Sequence, residues 1–377
     1  MLFKRLLRDC QQFYRYHSLR PTRAMSTTTT TTTSSPLANT YRQIQVFNYS
    51  TNFTEATKIV DKPLIDPGAD EILVKNLYVG INATDLNITA GRYFKHDDPP
   101  YSLGIEALGQ VVKVGNDVSD SYNVGQYLVV KCSKMRAYSE YLYVTKNDGL
   151  SVVPEPKPEY VALLGTSGLT AAIGLMESAR LQPGETVLVT AAAGGVGHIV
   201  VQWALLNRCR VVGLTSTPEK QEFLNRLGCH RVINYKLENL DQVLKKEYPT
   251  GIDVIWETIG SPVFEQLFEH LARKGRLINV GATAGYKTVG YAPINIDDFI
   301  VKLHYGARTV VGFLVMDYKD KYPIYSKQLS DYYRDNRLTI KVDFGVGSVV
   351  GHGLEAIADG IQYLHSGANL GKVIVKL

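Results

Sequence analysis

No stretch of this chain approaches the roughly 18 consecutive apolar residues that a membrane-spanning helix needs, so no integral membrane segment is expected. Cysteine is scarce. The four present, Cys10, Cys132, Cys209 and Cys229, include no pair at CxxC spacing, which argues against a disulfide framework or a structural zinc site and suits a reducing compartment. An excess of one charge is also missing from the body. The formal net charge is +5, but residues 1–24 carry six bases (Lys4, Arg5, Arg8, Arg15, Arg20, Arg23) and one acid (Asp9), which leaves 35 of each sign in the remainder. A neutral body gives no electrostatic case for binding nucleic acid or an anionic membrane. Internal repeats are absent.

What is present is enough apolar material, 45% of 377 residues, for two ordinary domains. Residues 1–24 are Arg-rich, nearly acid-free and apolar at helical spacing (Leu2, Leu6, Phe13), the pattern of a removable mitochondrial transit peptide and a matrix location. The rival reading is a translated upstream extension with Met25 as the start, and a cytoplasmic protein. The terminal "VKL" resembles a peroxisomal tripeptide, with Val375 where a small residue belongs. Residues 25–40, with seven consecutive threonines, read as a disordered linker.

From Gln43 to about Val144, short β-rich runs such as "EILVKNLYVGI" and "LGQVVKVG" are broken by Gly and Asn/Asp, which predicts a mostly antiparallel β domain. After about Leu163 the rhythm changes. Six short apolar runs, "TVLVT", "RVVGLT", "RVINY", "IDVIWET", "GRLINVG" and "TVVGF", alternate with helical patterns. That alternation implies an α/β, doubly wound parallel sheet. Two further helices and a closing strand, "GKVIVKL", follow.

The first of those strands runs into "AAAGGVGHIVVQWA". Ala192-x-Gly194-x-x-Gly197 lies where a dinucleotide fingerprint belongs. Small residues there let the backbone approach a diphosphate, and the helix start offers unpaired N–H groups. Val196, Ile199, Val200 and Trp203 predict one helix face on the sheet. A site for the unphosphorylated dinucleotide usually carries an acid after the second strand. Here that strand ends in Thr215, Ser216 and Thr217, with Lys220 one turn on and Glu219 the only nearby acid. Hydroxyls and a cation favour a 2′-phosphate, hence NADP(H).

With these motifs, and with "GTSGLTAA", "GINATDLNITAGRY", "EYPTGIDVIWETIG" and "ANLGKVIV", the chain resembles the medium-chain dehydrogenase/reductase superfamily in its quinone oxidoreductase branch. The resemblance implies a GroES-like β-rich catalytic domain from residues 41–161 and 314–377, with a Rossmann NADP-binding domain, 162–313, inserted, and a homodimer. It implies cofactor contacts at Thr170, Ala192, Gly194, Gly195, Val196, Gly197, Ser216, Lys220, Tyr235, Thr258, Val280, Tyr286, Phe313, Leu314, Val315 and Asn369. Zinc members of the superfamily carry an early Cys, a Gly-His-Glu and a Cys-rich lobe. Here the matching segments read "GINATD", "LGIEALG" with Ile105 in place of His, and "VVKCSKMRAYSEY", so a zinc-free enzyme is expected.

Without a metal, the chemistry that remains is hydride delivery to a C=C conjugated to a carbonyl, on 15-oxo-prostaglandin-like and related lipid enones. Asn82, Tyr93 and Tyr286 are candidate donors to the developing enolate oxygen, and either tyrosine could return the proton. Asp85 reads as a loop-orienting residue. Residues 285–299, rich in Gly and Tyr, read as a lid. Quinone reduction, mitochondrial enoyl-thioester reduction and a non-catalytic NADPH-binding regulator share the fingerprint and stay open.

Overall fold

The apolar-rich segments "ILVKNLYVG" and "EALGQVVKV" supply runs of buried side chains to a core. In the computed structural model, which describes residues 39–92, 98–288, 290–345 and 351–377, Ile72–Gly80 and Glu106–Val114 pair antiparallel inside a seven-stranded sheet. Tyr127–Lys131 and Gly149–Val153 extend it on one side, and Lys372–Lys376 and Val342–Asp343 on the other. The chain's last strand therefore returns to the β lobe built by the first half, pairing Val375 with Val79. A smaller sheet joins Thr40–Val46, Thr57–Pro63 and Tyr101–Ser102. Its first strand already includes Thr40, inside the stretch expected to be linker. The transit-peptide reading, most of the linker, and Tyr93 lie outside the described residues.

The second lobe is a six-stranded parallel sheet in the order Arg231–Asn234, Arg210–Thr215, Thr186–Val189, Ile252–Glu257, Leu271–Asn279, Thr309–Gly312. The order reverses between Thr186–Val189 and Ile252–Glu257, so a crevice opens at their carboxyl ends, where ligands bind in doubly wound folds. Both faces are covered by apolar clusters, with Trp256, Val254 and Val187 on one and Leu188, Ile255 and Leu277 on the other. Each such fully buried aliphatic side chain contributes about 1.5–3 kcal/mol.

In this sheet Leu271–Asn279, the strand of "GRLINVG", lies between two neighbours and Thr309–Gly312 is outermost. The fingerprint helix, Gly197–Leu206, was expected to bury one face, yet residues 197–204 are all buried. Trp203, one of the residues expected to face the sheet, has the Tyr332 ring of the helix Tyr322–Arg334 5.4 Å away, and the segment around Thr339 covers the fingerprint helix from one side. Gln202 satisfies this contact by accepting from the Thr339 N–H and donating to its carbonyl, both at 2.8 Å.

Candidate functional site

A cleft of about 1300 Å³ runs between the carboxyl edge of the parallel sheet and the β lobe. Its floor is the fingerprint turn. A Cβ on Gly197 would collide with the Ala191 carbonyl and come within 2.8 Å of the Ala192 Cα, so only glycine lets the helix start so close to the strand. Gly195 packs against Lys372, whose Cδ would be 3.1 Å from an added Cβ. The Gly194 carbonyl accepts from His198 Nδ1 at 2.8 Å, while His198 Nε2 accepts from the Lys341 N–H at 3.2 Å. Burial pushes this imidazole down to about 4, so it is neutral and its two bonds fix one tautomer. Gly194, Gly195, Val196 and Gly197 line the cleft. Ala192 does not; it is fully buried beneath the turn against Gly213.

At one end stand Thr215, Ser216, Lys220 and Tyr235. The Thr217 side chain caps the next helix, Pro218–Arg226, by accepting from the Lys220 N–H, and so aims this turn at the cleft. Lys220 is not the solvated cation its helix position suggests. It is 9% exposed, and its Nζ donates to the Gly367 carbonyl at 2.5 Å, across to the segment that precedes the last strand. Burial lowers its pKa. Glu238 lines this end but is paired with Arg231, which holds its carboxyl below the usual range, and Asp343 and Glu219 act on Lys220 from outside the cleft lining.

In the middle lies a buried ion pair that the sequence analysis had not found. Lys372 Nζ sits 2.5 Å from Glu106 Oε1, and the two side chains are 3% and 0% exposed. Glu106 also accepts from Asn82 Nδ2 at 3.1 Å and from the Thr166 N–H. Burial alone would raise this carboxyl; Lys372 and the Thr166 bond outweigh it and hold the group low. Gly80 makes room for it, since an added Cβ would lie 2.5 Å from Oε1. Asn82 Oδ1 accepts from Lys372 at 2.7 Å, and its two amide hydrogens go to Glu106 and to the Gly80 carbonyl. Asn82 thus corrects the expectation of a donor to substrate: its donors are spent, and it orients Lys372, which lines the cleft. A lone Glu in "GIEALG" and the first Lys of "GKVIVKL", each in an apolar strand, were the available signal, since a buried charge requires a partner.

Asp85 orients the neighbouring loop, accepting from the Asn82 N–H at 2.8 Å and from the Tyr138 hydroxyl at 2.5 Å. Burial raises its carboxyl to about 7. Glu257, also buried and raised to about 7 by burial, accepts from the N–H groups of Ile259 and Gly260 and so shapes the turn after its strand. That turn presents Thr258, whose N–H bonds the Thr190 hydroxyl at 3.0 Å. Thr170, Thr258, Val280, Phe313, Leu314, Val315 and Asn369 all line the cleft.

Tyr286 lines it too, nearly buried, with its hydroxyl accepting from the Ala282 N–H at 3.2 Å. The loop that carries it straps the Rossmann lobe to the β lobe. Arg92 donates to the Gly285 carbonyl at 3.1 Å and to the Thr288 carbonyl, and its guanidinium lies 5.6 Å from the Tyr291 ring centroid. Tyr291 donates to Asn87 at 2.8 Å. Cys132, also at the cleft, is a buried thiol pushed up to about 12 by burial. Among the described residues, no three His, Cys, Asp or Glu side chains come together as a metal site.

Comparison with known proteins gives matches along most of the chain. The family described as alcohol dehydrogenase GroES-like domain matches residues 68–189, and that described as zinc-binding dehydrogenase matches residues 195–331. Prostaglandin reductase-3 of Mus musculus is 38% identical over 347 residues, 91% of each chain. A probable quinone oxidoreductase of Leishmania amazonensis is 37% identical over 91% of this chain and 99% of its own length. The solved structure of Escherichia coli quinone oxidoreductase complexed with NADPH is similar with a TM-score of 0.77 and 25% identity, over 89% of this chain and all of the other.

Proposed function

The chain belongs to the medium-chain dehydrogenase/reductase superfamily, in its quinone oxidoreductase branch, and on that premise we propose that it is an NADPH-dependent reductase of carbon–carbon double bonds conjugated to a carbonyl. The observation that carries the reading is one continuous cleft. It joins a hydroxyl-plus-ammonium pocket at one end to a glycine cradle with a buried lysine packed beside it and to apolar walls. The cradle fits the cofactor because Gly197 lets the helix start close against the strand, with Gly194 and Gly195 lining the cleft beside it, and because Ser216 and Lys220 stand where a 2′-phosphate needs donors.

When bound, NADPH supplies a hydride. The chain's own residues do the rest. The fingerprint turn holds the diphosphate through backbone N–H groups. Thr170, Thr258 and Phe313–Val315 position the reactive ring. Lys372, with two of its three N–H donors on Glu106 and Asn82, keeps a fixed cation on the cleft wall where negative charge develops on the substrate oxygen. A preorganised donor of this kind needs no rearrangement during the reaction. The Arg92 strap excludes water from this end. Return of a proton to the neighbouring carbon is assigned to a tyrosine hydroxyl, Tyr286 or Tyr93.

The test is NADPH consumption with a panel of enones, quinones and enoyl thioesters. Enone reduction with identified saturated product is the expected result. Turnover of quinones alone would select quinone reduction, the reading favoured by the Leishmania relative, and tight NADPH binding without turnover would select a regulator. We also propose a homodimer through the outer strand Thr309–Gly312 and the exposed Ile300, Val301 and Tyr305, since an unpaired strand edge beside an apolar helix face is a pairing surface. A monomer by light scattering would refute it.

A further inference from the structure

Most side chains on this cleft that could act as nucleophiles are committed elsewhere. Lys372 is held as a cation by Glu106, Lys220 donates to the Gly367 carbonyl, and His365 Nε2 is bonded to the Ala83 carbonyl at 3.2 Å. Burial pushes the Cys132 thiol up to about 12, so it stays protonated and unreactive. Lys146 and Lys319 line the cleft but are exposed to solvent.

Lys131 differs from all of these. It ends the strand Tyr127–Lys131 and lines the cleft. Its side chain lies along Gly149 of the next strand, where an added Cβ would come within 2.6 Å of the lysine Cε. Its Nζ donates to the Leu164 carbonyl at 3.0 Å and stands 5.3 Å from the Tyr322 ring centroid, so both of these neighbours are neutral. On its other side Glu106 is directly opposite in the register and shares its face of the sheet. That carboxylate favours the ammonium form of Lys131, but its oxygens are bonded to Lys372, Asn82 and the Thr166 N–H. Burial outweighs it and lowers the Lys131 amine to about 8. Desolvation in an apolar pocket is a recognised way to make a lysine nucleophilic, and Ile105 and Leu169 supply apolar wall here.

Lys131 and Lys372 thus adjoin the same carboxylate, one by strand register and one by direct contact. Attack of an amine on the β carbon of a conjugated carbonyl develops negative charge on the carbonyl oxygen, as attack of a hydride does. A fixed cation that stabilises one attack stabilises the other.

We propose that Lys131 is a covalent modification site: its amine adds to the β carbon of a conjugated aldehyde or ketone held in the cleft, and the adduct blocks the cleft. The N–C bond forms as the C=C π pair shifts toward the carbonyl. The proton lost from Nζ is matched by the one gained at the α carbon, so the electrophile adds whole and no oxidant or reductant takes part. That such electrophiles reach this cleft rests on the reductase reading above, but the adduct itself needs no turnover.

The test incubates the full chain with cyclohexenone, in the presence of NADP+ so that no hydride competes, and maps modified peptides by mass spectrometry. A mass gain equal to the whole ketone is expected on Lys131, about tenfold faster than on Lys146 or Lys319. An amine held at about 8 is partly neutral near neutral pH, an exposed lysine almost wholly protonated, and the weaker basicity of the former offsets only part of that advantage. Saturated cyclohexanone, which offers no β carbon for addition, should slow the labelling by occupying the cleft. Lys131→Arg, which keeps a cation beside Tyr322, should retain its NADPH-dependent activity after an exposure that silences the parent. The parent's peptide map decides the matter if that variant does not fold. Equal labelling of the three lysines, or an adduct on Lys372 or Cys132 instead, overturns the proposal. Enone reduction with no Lys131 adduct overturns this proposal alone. A Lys131 adduct without turnover of any enone defeats the reductase reading and leaves the modification site standing.

Discussion

The Glu106–Lys372 pair offers the sharpest test of the architecture. Glu106→Gln keeps the side chain's shape but removes its charge. Lys372, at 3% exposure, then loses its ion-pair partner, and the new amide sets hydrogens against either Lys372 or the Thr166 N–H. Breaking a buried pair by removing one partner costs about 3–5 kcal/mol. For an assembly of this size each kcal/mol moves the melting midpoint by about 2–4 °C, so a fall on the order of 10 °C is expected. Lys372→Met should destabilise by a similar amount, because it strands the carboxylate. The double variant, Glu106→Gln with Lys372→Met, removes both charges and should recover most of the loss. Its enone kcat should nevertheless stay low, because the cation at the cleft wall is gone. Thermal melts of the four proteins, with NADPH turnover of each, complete the cycle. Strictly additive stability losses, or wild-type kcat in the stable double variant, would refute the roles assigned to the pair. The sign of its pH dependence follows from the depressed Glu106 value. Its contribution is present above the unfolded carboxylate pKa and lost as pH falls through the lower folded value.

Three other outcomes are expected. Lys220→Met should raise the NADPH KM by about 10–100-fold, the worth of a charged hydrogen bond, with kcat and NADH kinetics little changed; equal NADPH kinetics would remove the 2′-phosphate assignment. Arg92→Ala should release the strap from the β lobe, which acrylamide quenching of bound-NADPH fluorescence would report as greater solvent access; unchanged quenching would show that the Arg92 bonds do not close the cleft. Glu257 titrates in the opposite sense to Glu106. Its folded pKa is raised to about 7, so its contribution is full below the unfolded value and is lost as pH rises through about 7. Glu257→Gln should flatten the decline in melting midpoint between about pH 5 and about pH 8, and identical pH profiles of variant and parent would refute this.

The parts of this molecule that depend on near neighbours were legible in the residue order. Strand and helix periods showed the two lobes. The glycines of the fingerprint marked the turn where backbone must approach closely. Each of these is set by sterics and hydrogen bonds within a few residues, which the sequence displays directly. The misjudged positions share a different cause. Asn82 was read as a donor because its amide is chemically able to donate, and only folding reveals that both hydrogens are already committed. The helix Gly197–Leu206 was read as one-sided because the segment that covers its second face comes from much later in the chain.

By itself, then, the sequence determined the layered α/β architecture, the place of the glycine turn and the hydroxyls and cation near it in the chain. Tertiary structure alone decided that Glu106 meets Lys372, that Lys220 reaches Gly367 and that Arg92 holds the strap. Local geometry follows from a residue and its neighbours. The partner of a charge depends on which distant segments the hydrophobic cores bring together, and a side chain's identity carries no record of that.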